Sequence, residues 1–465
     1  MRSDPLETDT IAAISTPLGE GGIGIVRLSG PKAIEIADQI FRSPKGTSLK
    51  DVPSHTIHYG FIEDGGKKVD EVLIAVMRAP RTYTREDVVE INCHGGLVPL
   101  RRVLELVLAQ GARAAGPGEF TKRAFLNGRI SIDQAEAVLD IVRAKTELGL
   151  ECAIQRLEGR FSRPIKELRA KLLNLLAGIE VGIDFPEYEE EALPRGRLLG
   201  ELEGALRQVD YFLEHGRDGR IIREGLAVAI IGRPNVGKST LLNALLQEER
   251  AIVTPIPGTT RDRIEEWVEL DGIPFKLIDT AGVREVRDEV ERIGVELALK
   301  AAEGADLVLF MLDLSEPLTA EDRAIARPLA GKRALLLLNK SDLGRSFSPQ
   351  EALQALGIEP EGVLEISAKL GTGLEELKRR LVELVWEGRL ERPEGLFLLN
   401  IREKELLQRA KEALGRTLAD ARAGATPDLL AIGLEEVLTI LGELTGEDLT
   451  EEVIDRIFAD FCVGK

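Results

Sequence analysis

The chain has 465 residues, too many for one ordinary hydrophobic core, so its length asks for about three domains. Its 61 Lys and Arg against 79 Asp and Glu leave a formal net charge of −18, which excludes polyanion binding over the whole surface and confines any nucleic-acid contact to one face. With 44% hydrophobic and 30% charged residues, no apolar run near the ~20 residues that span a bilayer, and a polar, acidic start without the apolar core of a signal peptide, the expectation is a cytoplasmic, soluble protein.

Residues 1–125 mix short β-rich runs, such as GIGIVRLSG (22–30) and VLIAVMRAP (72–80), with helical runs such as VPLRRVLELVLAQG (98–111), which predicts a compact α+β domain. Residues 126–220 turn helical. Leu198, Leu202, Leu206, Val209 and Leu213 recur at spacings of three and four and share one helix face. The loop 183–194 interrupts this stretch, because Pro186 and Pro194 break a helix. From 221 to 385 strands alternate with helices. The runs 226–232, 275–279, 305–313, 334–340 and 363–369 are apolar with little alternation, as strands buried on both faces of a largely parallel sheet read. Residues 386–465 are helical again and end in FCVGK. Two helical stretches around an α/β unit favour one all-α domain into which the α/β unit is inserted.

The motif Gly232-Arg233-Pro234-Asn235-Val236-Gly237-Lys238-Ser239 fits GxxxxGK[ST], follows a strand and opens the helical run STLLNALLQ. Backbone N–H groups of Asn235 to Thr240 and the helix N-terminus can cradle phosphates there. Lys238 is placed to reach the β- and γ-phosphates and Ser239 to ligate Mg²⁺. Asp279-Thr280-Ala281-Gly282 ends an apolar strand, where an acid can hold Mg²⁺ and a glycine N–H can meet the γ-phosphate; a helix N-cap Asp is the plainer reading. Asn339-Lys340-Ser341-Asp342 follows LLLL. Its carboxylate can accept the paired N–H groups of guanine, a pair adenine does not offer. The backbone of Ser367-Ala368-Lys369 can contact the guanine O6. Together the four motifs resemble the GTPase superfamily, with a Ras-like P-loop fold, and favour GTP over ATP.

Between the phosphate loop and Asp279 lies TPIPGTTRD (254–262), whose Thr260 resembles the switch threonine that completes a Mg²⁺ shell. Ras-like proteins place a Gln after the DxxG glycine to orient the attacking water, but here Val283 stands there and cannot hydrogen-bond. Asn235 and the GTT run resemble the GTPases that bind K⁺ near the phosphates, where a cation supplies the charge an arginine finger gives elsewhere. Among the acids Glu285, Asp288, Glu289 and Glu291, one can orient water through a second water, or all can form a solvated helix start.

With these residues in place, the whole chain resembles the bacterial MnmE (TrmE) tRNA modification GTPase family. The likeness rests on DTIAAISTPLGEGGIGIVRLSG (9–30), EDVVEINCHGG (86–96), GPGEFTKRAFLNGRISIDQAEAV (116–138), IDFPE (183–187) and the terminal Phe461-Cys462-Val463-Gly464-Lys465. The resemblance implies an N-terminal domain (1–125) that binds 5-formyltetrahydrofolate and makes a homodimer. It further implies a helical domain from 126–220 and 386–465, and a GTPase domain (221–385) inserted in it. It implies a flavin-dependent partner, MnmG (GidA), a heterotetramer with it, and action on the wobble uridine at position 34 of certain tRNAs, where an aminomethyl or carboxymethylaminomethyl group is installed on C5. The family's K⁺ ligands fall on Asn235, Thr254, Ile256 and Thr259, its Mg²⁺ ligands on Ser239 and Thr260, and its water-positioning glutamate on Glu291. Its folate contacts fall on Arg27, Glu90, Arg129 and Lys465.

The residues themselves support the folate set in part, since basic groups can pair with a glutamate tail and a carboxylate can accept a pterin N–H pair. Cys462 reads either as a nucleophile activated by Lys465 or as a small apolar residue beside Phe458 and Phe461. Cys93 and Cys152 read as structural, and His94, beside Gly95 and Gly96, as a site-lining or a turn residue. Two other classes stay open at this point. A ribosome-assembly or regulatory GTPase would carry an RNA-binding module or a second GTPase cassette, and neither is seen. A folate-dependent one-carbon enzyme with an accessory GTPase would bind folate without any effect on tRNA.

Overall fold

The computed structural model describes residues 9–184, 194–248, 265–279, 302–386 and 397–465. The chain divides into two compact units, one of residues 1–139, 156–203 and 412–465, the other of residues 140–155 and 204–411. Among the described residues no helix is long and apolar enough to cross a membrane.

The first unit contains a seven-stranded sheet of β1 (Ile11–Ile14), β2 (Gly21–Ser29), β3 (Phe41–Arg42), β4 (Thr56–Asp64), β5 (Lys67–Met77), β6 (Val88–Gly95) and β7 (Arg113–Ala114). Its order is β3-β4-β5-β6-β2-β1-β7, antiparallel throughout except for β1 with β7. Strand residues alternate between faces. Val72, Ile74 and Val76 of β5 and Val89 and Ile91 of β6 are buried with Ile36, Ala37, Val103 and Val107 of the helices Ala33–Ile40 and Leu97–Ala109. The opposite face exposes Ile57, Tyr59 and Leu73 and carries Arg27 across from Glu90.

In the same unit the helix Ser162–Asp184 packs on Pro427–Thr445. Ile165, Leu168, Leu172, Leu175, Leu176 and Ile179 line one stripe, and Leu434, Val437, Leu438, Leu441 and Leu444 line the other. Each such side chain contributes about 1.5–3 kcal/mol of burial, which is what holds these helices, since their charged outer faces give little. On the helix Arg195–His215, Leu198, Leu202 and Val209 are buried as their spacing predicts, with Ala205 and Phe212 beside them, while Leu206 and Leu213 flank the stripe half-buried.

The second unit holds a six-stranded sheet of β9 (Leu226–Ile231), β10 (Glu265–Leu270), β11 (Ile273–Asp279), β12 (Leu307–Asp313), β13 (Ala334–Asn339) and β14 (Gly362–Glu365), together with a two-strand ladder of β8 (Gly216–Asp218) and β15 (Phe397–Leu399). The large sheet runs β10-β11-β9-β12-β13-β14, parallel except for the β10–β11 hairpin. Val228, Ile230, Leu309, Met311, Leu335 and Leu337 pack on one side, against Leu241 and Leu245 of the helix Lys238–Glu248 and Leu377 and Leu381 of Leu374–Val385. Ala229, Ile231, Phe310, Leu312, Leu336 and Leu338 pack on the other, against Ile325 and Ala352.

The strands differ from expectation in detail. β14 stops at Glu365 because Ser367 N donates to Thr372 O at 2.9 Å and turns the chain back. As an edge strand β14 is half-buried rather than covered on both faces. β10 has no counterpart in the sequence reading, because its charged residues hide it; the signal was Asp271-Gly272, a hairpin dipeptide with φ of +48° and +79°.

Candidate active site

The carboxyl ends of β9, β11, β12, β13 and β14 are where an open parallel sheet places a ligand. The phosphate loop leaves β9 at Gly232 and re-enters order at Lys238, the first residue of its helix. The loop's course demands small residues. Gly232 has φ +153°, and a Cβ there would lie 2.4 Å from the Met311 carbonyl oxygen. Gly237 has φ +104°, and a Cβ there would lie 2.2 Å from Asn339 Nδ2. Asn235 sits at φ +64° with its side chain exposed, a conformation Asn tolerates better than most residues.

Lys238 Nζ donates to Gly232 O at 2.8 Å and to Arg233 O at 2.9 Å, which draws its ammonium over the loop. Ser239 and Thr240 are exposed at the helix start. The oxygen donors of Asn235 and Ser239 thus suit hard cations, the Asn235 amide oxygen a monovalent ion and the Ser239 hydroxyl Mg²⁺. Asp279 closes β11 next to β9. Thr254, Ile256, Thr259, Thr260, Thr280, Ala281, Gly282 and Glu291 lie outside the described residues.

The base-recognition motif is tied to this loop by buried hydrogen bonds. Asn339 is 3% exposed. Its Nδ2 donates to Val236 O at 2.7 Å, and its Oδ1 accepts from Ala368 N at 2.9 Å. One amide therefore joins the phosphate loop, β13 and the Ser367–Lys369 turn. Ser367 Oγ donates to Asp342 Oδ1 at 2.6 Å, which fixes that carboxylate, and Leu370 N donates to Ser367 Oγ at 3.3 Å. Lys340, at φ +63°, places Nζ 2.5 Å from Asp313 Oδ2 at the end of β12. Burial pushes the Asp313 carboxyl up, but hydrogen bonds from Lys340 and Ser315 outweigh it and hold the group below its ordinary value. Asp313 escaped the sequence reading. Its signal was a charged residue closing an otherwise apolar strand beside two strands that end in motifs.

A second cluster lies in the first unit. Arg27 Nε donates to Glu90 Oε1 at 2.9 Å, and Arg27 Nη1 donates to Gly464 O at 3.2 Å. The terminal residues are docked here. Gly118 N donates to Cys462 O at 3.2 Å, Pro117 and Val463 form an antiparallel bridge, and Gly464, at φ +94°, passes so close that a Cβ would lie 2.3 Å from Ile14 O. Phe458 and Phe461 are buried beside this tail, whereas Cys462 is exposed, which removes its apolar-packing reading. Arg27 stands over the ring of buried Phe120, with its guanidinium carbon 5.7 Å from the centroid, and Arg129 stands 4.8 Å over Tyr83. Phe120 and Tyr83 are the two members sequence reasoning missed. The structure thus brings Arg27, Glu90 and the Lys465 end together. Arg129 joins them through the helix Glu119–Leu126, where Tyr83 Oη and Thr121 Oγ1 are 2.9 Å apart. Guanidinium groups, a carboxylate and aromatic faces form a donor set that fits an acidic heteroaromatic cofactor such as a folate.

The remaining candidates separate clearly. Cys93 and Cys152 are buried, and burial, with a smaller push from Asp70, drives the Cys93 thiol up to about 12, so it stays protonated and inert. His94 is exposed, with Nδ1 2.6 Å from Asp70 Oδ1, and that hydrogen bond raises its pKa.

Two family models match the chain. One is described as the MnmE helical domain and covers residues 132–462; the other, the GTP-binding protein TrmE N-terminus, covers residues 10–129. Among curated relatives, the tRNA modification GTPase MnmE of Geobacillus kaustophilus is 53% identical over 99% of this chain and 100% of its own length. Those of Enterococcus faecalis and Bacillus subtilis are 49% and 46% identical, over 100% and 98% of this chain and 100% of their own lengths.

Proposed function

The chain belongs to the MnmE family of tRNA modification GTPases, and from that premise we propose that this GTP hydrolase acts on C5 of the wobble uridine, position 34, with a flavin-dependent MnmG partner. The product is the aminomethyl or carboxymethylaminomethyl uridine. The protein works in the cytoplasm as a homodimer that joins MnmG in a heterotetramer. The proposed division is a folate-binding domain of residues 1–125, a helical domain of 126–220 and 386–465, and a GTPase domain of 221–385.

In this reading Asp342 accepts the guanine N–H pair, and the buried Asn339 keeps base and phosphate recognition in one frame. The phosphate-loop amides and Lys238 hold the phosphates, so that charge developing on the β–γ bridge meets fixed donors. Water attacks the γ-phosphorus, the bond to the bridging oxygen breaks, and GDP leaves with phosphate. Val283 cannot orient that water, so the role passes to Glu291 through a second water. Ser239 with Thr260 would hold Mg²⁺, and Asn235 with Thr254, Ile256 and Thr259 would hold K⁺; these ions supply positive charge beside the phosphates when bound. Arg27, Glu90, Arg129 and Lys465 would hold 5-formyltetrahydrofolate, a one-carbon donor, and the exposed Cys462 stands beside them as a nucleophile for the modification chemistry.

The observation that supports this reading is the docking of the Cys462–Lys465 tail in the first unit, where Gly464 O accepts from Arg27 and Cys462 O accepts from Gly118 N. Mass spectrometry of tRNA nucleosides from cells lacking the gene, with and without its restoration, tests it. Loss and return of the 5-substituted wobble uridines is the expected result. Unchanged nucleosides, with no redundant enzyme present, would leave a GTPase without this chemistry.

A further inference from the structure

Arg233, the second residue of the phosphate loop, does not point freely into solvent. Its side chain is 16% exposed, and Nη2 lies 2.5 Å from Glu316 Oε2. Its Nε faces Asp322 Oδ1 at 3.6 Å, and neither of these two buried atoms has a hydrogen-bond partner among the described residues. Asp322 is 2% exposed and held rigidly. Its Oδ2 accepts from Thr319 N at 2.9 Å and from Thr319 Oγ1 at 2.8 Å, the capping box of the helix Ala320–Ala326. One carboxylate on the segment that leaves β12 therefore holds the phosphate loop by a hydrogen bond, and a second, buried one faces the same guanidinium as an ion pair at 3.6 Å. The same segment starts at Asp313, which holds Lys340 of the base motif.

We propose that Arg233 is a positioning residue for GTP hydrolysis, acting through Glu316 and Asp322 to fix the first half of the phosphate loop once Lys238 engages nucleotide. The carbonyls of Gly232 and Arg233 are held here by the Lys238 ammonium. When that ammonium turns to the β- and γ-phosphates, those carbonyls lose their donor. The guanidinium grip of Arg233 remains as a tie on that half of the loop, while Val236 at the other half stays tied to Asn339. An arginine suits the task, because its planar fork presents Nε–H and Nη2–H in fixed directions toward two carboxylates, where a lysine offers one compact, freely rotating ammonium. The segment Asp313–Asp322 thereby becomes a common scaffold for phosphate and guanine recognition. It cannot be read from the loop motif, which leaves the second position free.

The consequence falls on turnover more than on grip. Val236 is anchored through Asn339 whether or not Arg233 is present, so ground-state binding is retained. Transition-state stabilisation needs the whole loop in one place. The test is a mutant cycle in the full-length protein: wild type, Arg233→Met, Glu316→Gln with Asp322→Asn, and all three together, each measured for GTP turnover and for GDP affinity with a fluorescent analogue. Arg233→Met is expected to lower kcat about tenfold with the GDP Kd held within about threefold, and the triple variant to be no slower than Arg233→Met, since residues of one network do not add. Multiplying effects would overturn the proposal, because Arg233 would then act without the carboxylates. A fall in kcat matched by an equal fall in GDP affinity would also overturn it, as plain loss of the folded loop. Should Arg233→Met not fold, Arg233→Lys, which keeps a charge for Glu316 but not the fork, carries the same cycle.

Discussion

Asn339 Nδ2 donates to the carbonyl oxygen of Val236 at 2.7 Å, so the residue that opens the base-recognition motif also fastens the phosphate loop. Asn339→Ala would remove this bond and the one to Ala368 N, leaving a buried carbonyl and a buried N–H without partners. Each orphan costs about 1–3 kcal/mol, and both lie in the proposed nucleotide site. Fluorescent GDP titration should show at least a tenfold weaker Kd, equivalent to about 1.4 kcal/mol. An unchanged Kd would mean that the phosphate loop holds its shape without Asn339.

Asn235 stands at φ +64° with an exposed amide, between the Arg233 grip and the Asn339 tie. Replacing it by Lys puts a tethered ammonium where the proposed K⁺ would sit. Asn235→Lys should remove the K⁺ response of hydrolysis and leave GTP binding largely intact. The measurement is the ratio of turnover in K⁺ to turnover in Na⁺, and an unchanged ratio would sink the cation assignment.

The motifs of the second unit were legible because each is a local run at a strand end, and a parallel sheet gathers strand ends at one edge. Asp313 and Arg233 were not, because their partners are 27 and 83 residues away, as the pairs Asp313–Lys340 and Arg233–Glu316 show. The same holds for Phe120 beneath Arg27, where only folding sets a helix side chain under a strand guanidinium. The helical stripe of Leu198, Leu202 and Val209 was readable from period alone, while β10 was hidden by charged residues such as Glu266 and Glu269, which an edge strand can keep half in water.

Gly464 is the position where the tail is least tolerant. Its φ of +94° disfavours any L side chain, and a Cβ would meet Ile14 O at 2.3 Å. Gly464→Ala should therefore undock the tail, breaking the Gly464 O bond to Arg27 and the Cys462 O bond to Gly118 N. GTP turnover is expected to stay within about twofold, since the two sites share no residue. Nucleoside analysis of tRNA from cells carrying only this variant should show the 5-substituted uridines lost. Full modification with Gly464→Ala would refute a working tail.

The helix Glu119–Leu126 that receives the tail is clamped by a charge cluster, and that cluster sets an acid limit. Arg123, 2% exposed, donates through Nη2 to Asp9 Oδ1 at 2.5 Å and through Nη1 to Glu86 Oε1 at 3.1 Å, and Arg113 Nη2 donates to Glu119 Oε1 at 2.5 Å. Burial pushes Glu119 and Asp9 up, but the arginine hydrogen bonds outweigh it in both, and each carboxyl is held below its ordinary value of 4.5 or 3.8. A depressed carboxylate stabilises the fold fully above its unfolded value and loses that contribution as the pH falls through its folded one. The clamp should thus be intact at pH 6 and fail progressively below about pH 4.5. Glu119→Gln should raise amide exchange in the helix Glu119–Leu126 near neutral pH, with the difference from wild type shrinking as the pH falls through the depressed folded value of Glu119. A Glu119→Gln variant whose helix exchanges no faster than wild type at pH 6 would show that the Glu119 charge contributes nothing to the clamp.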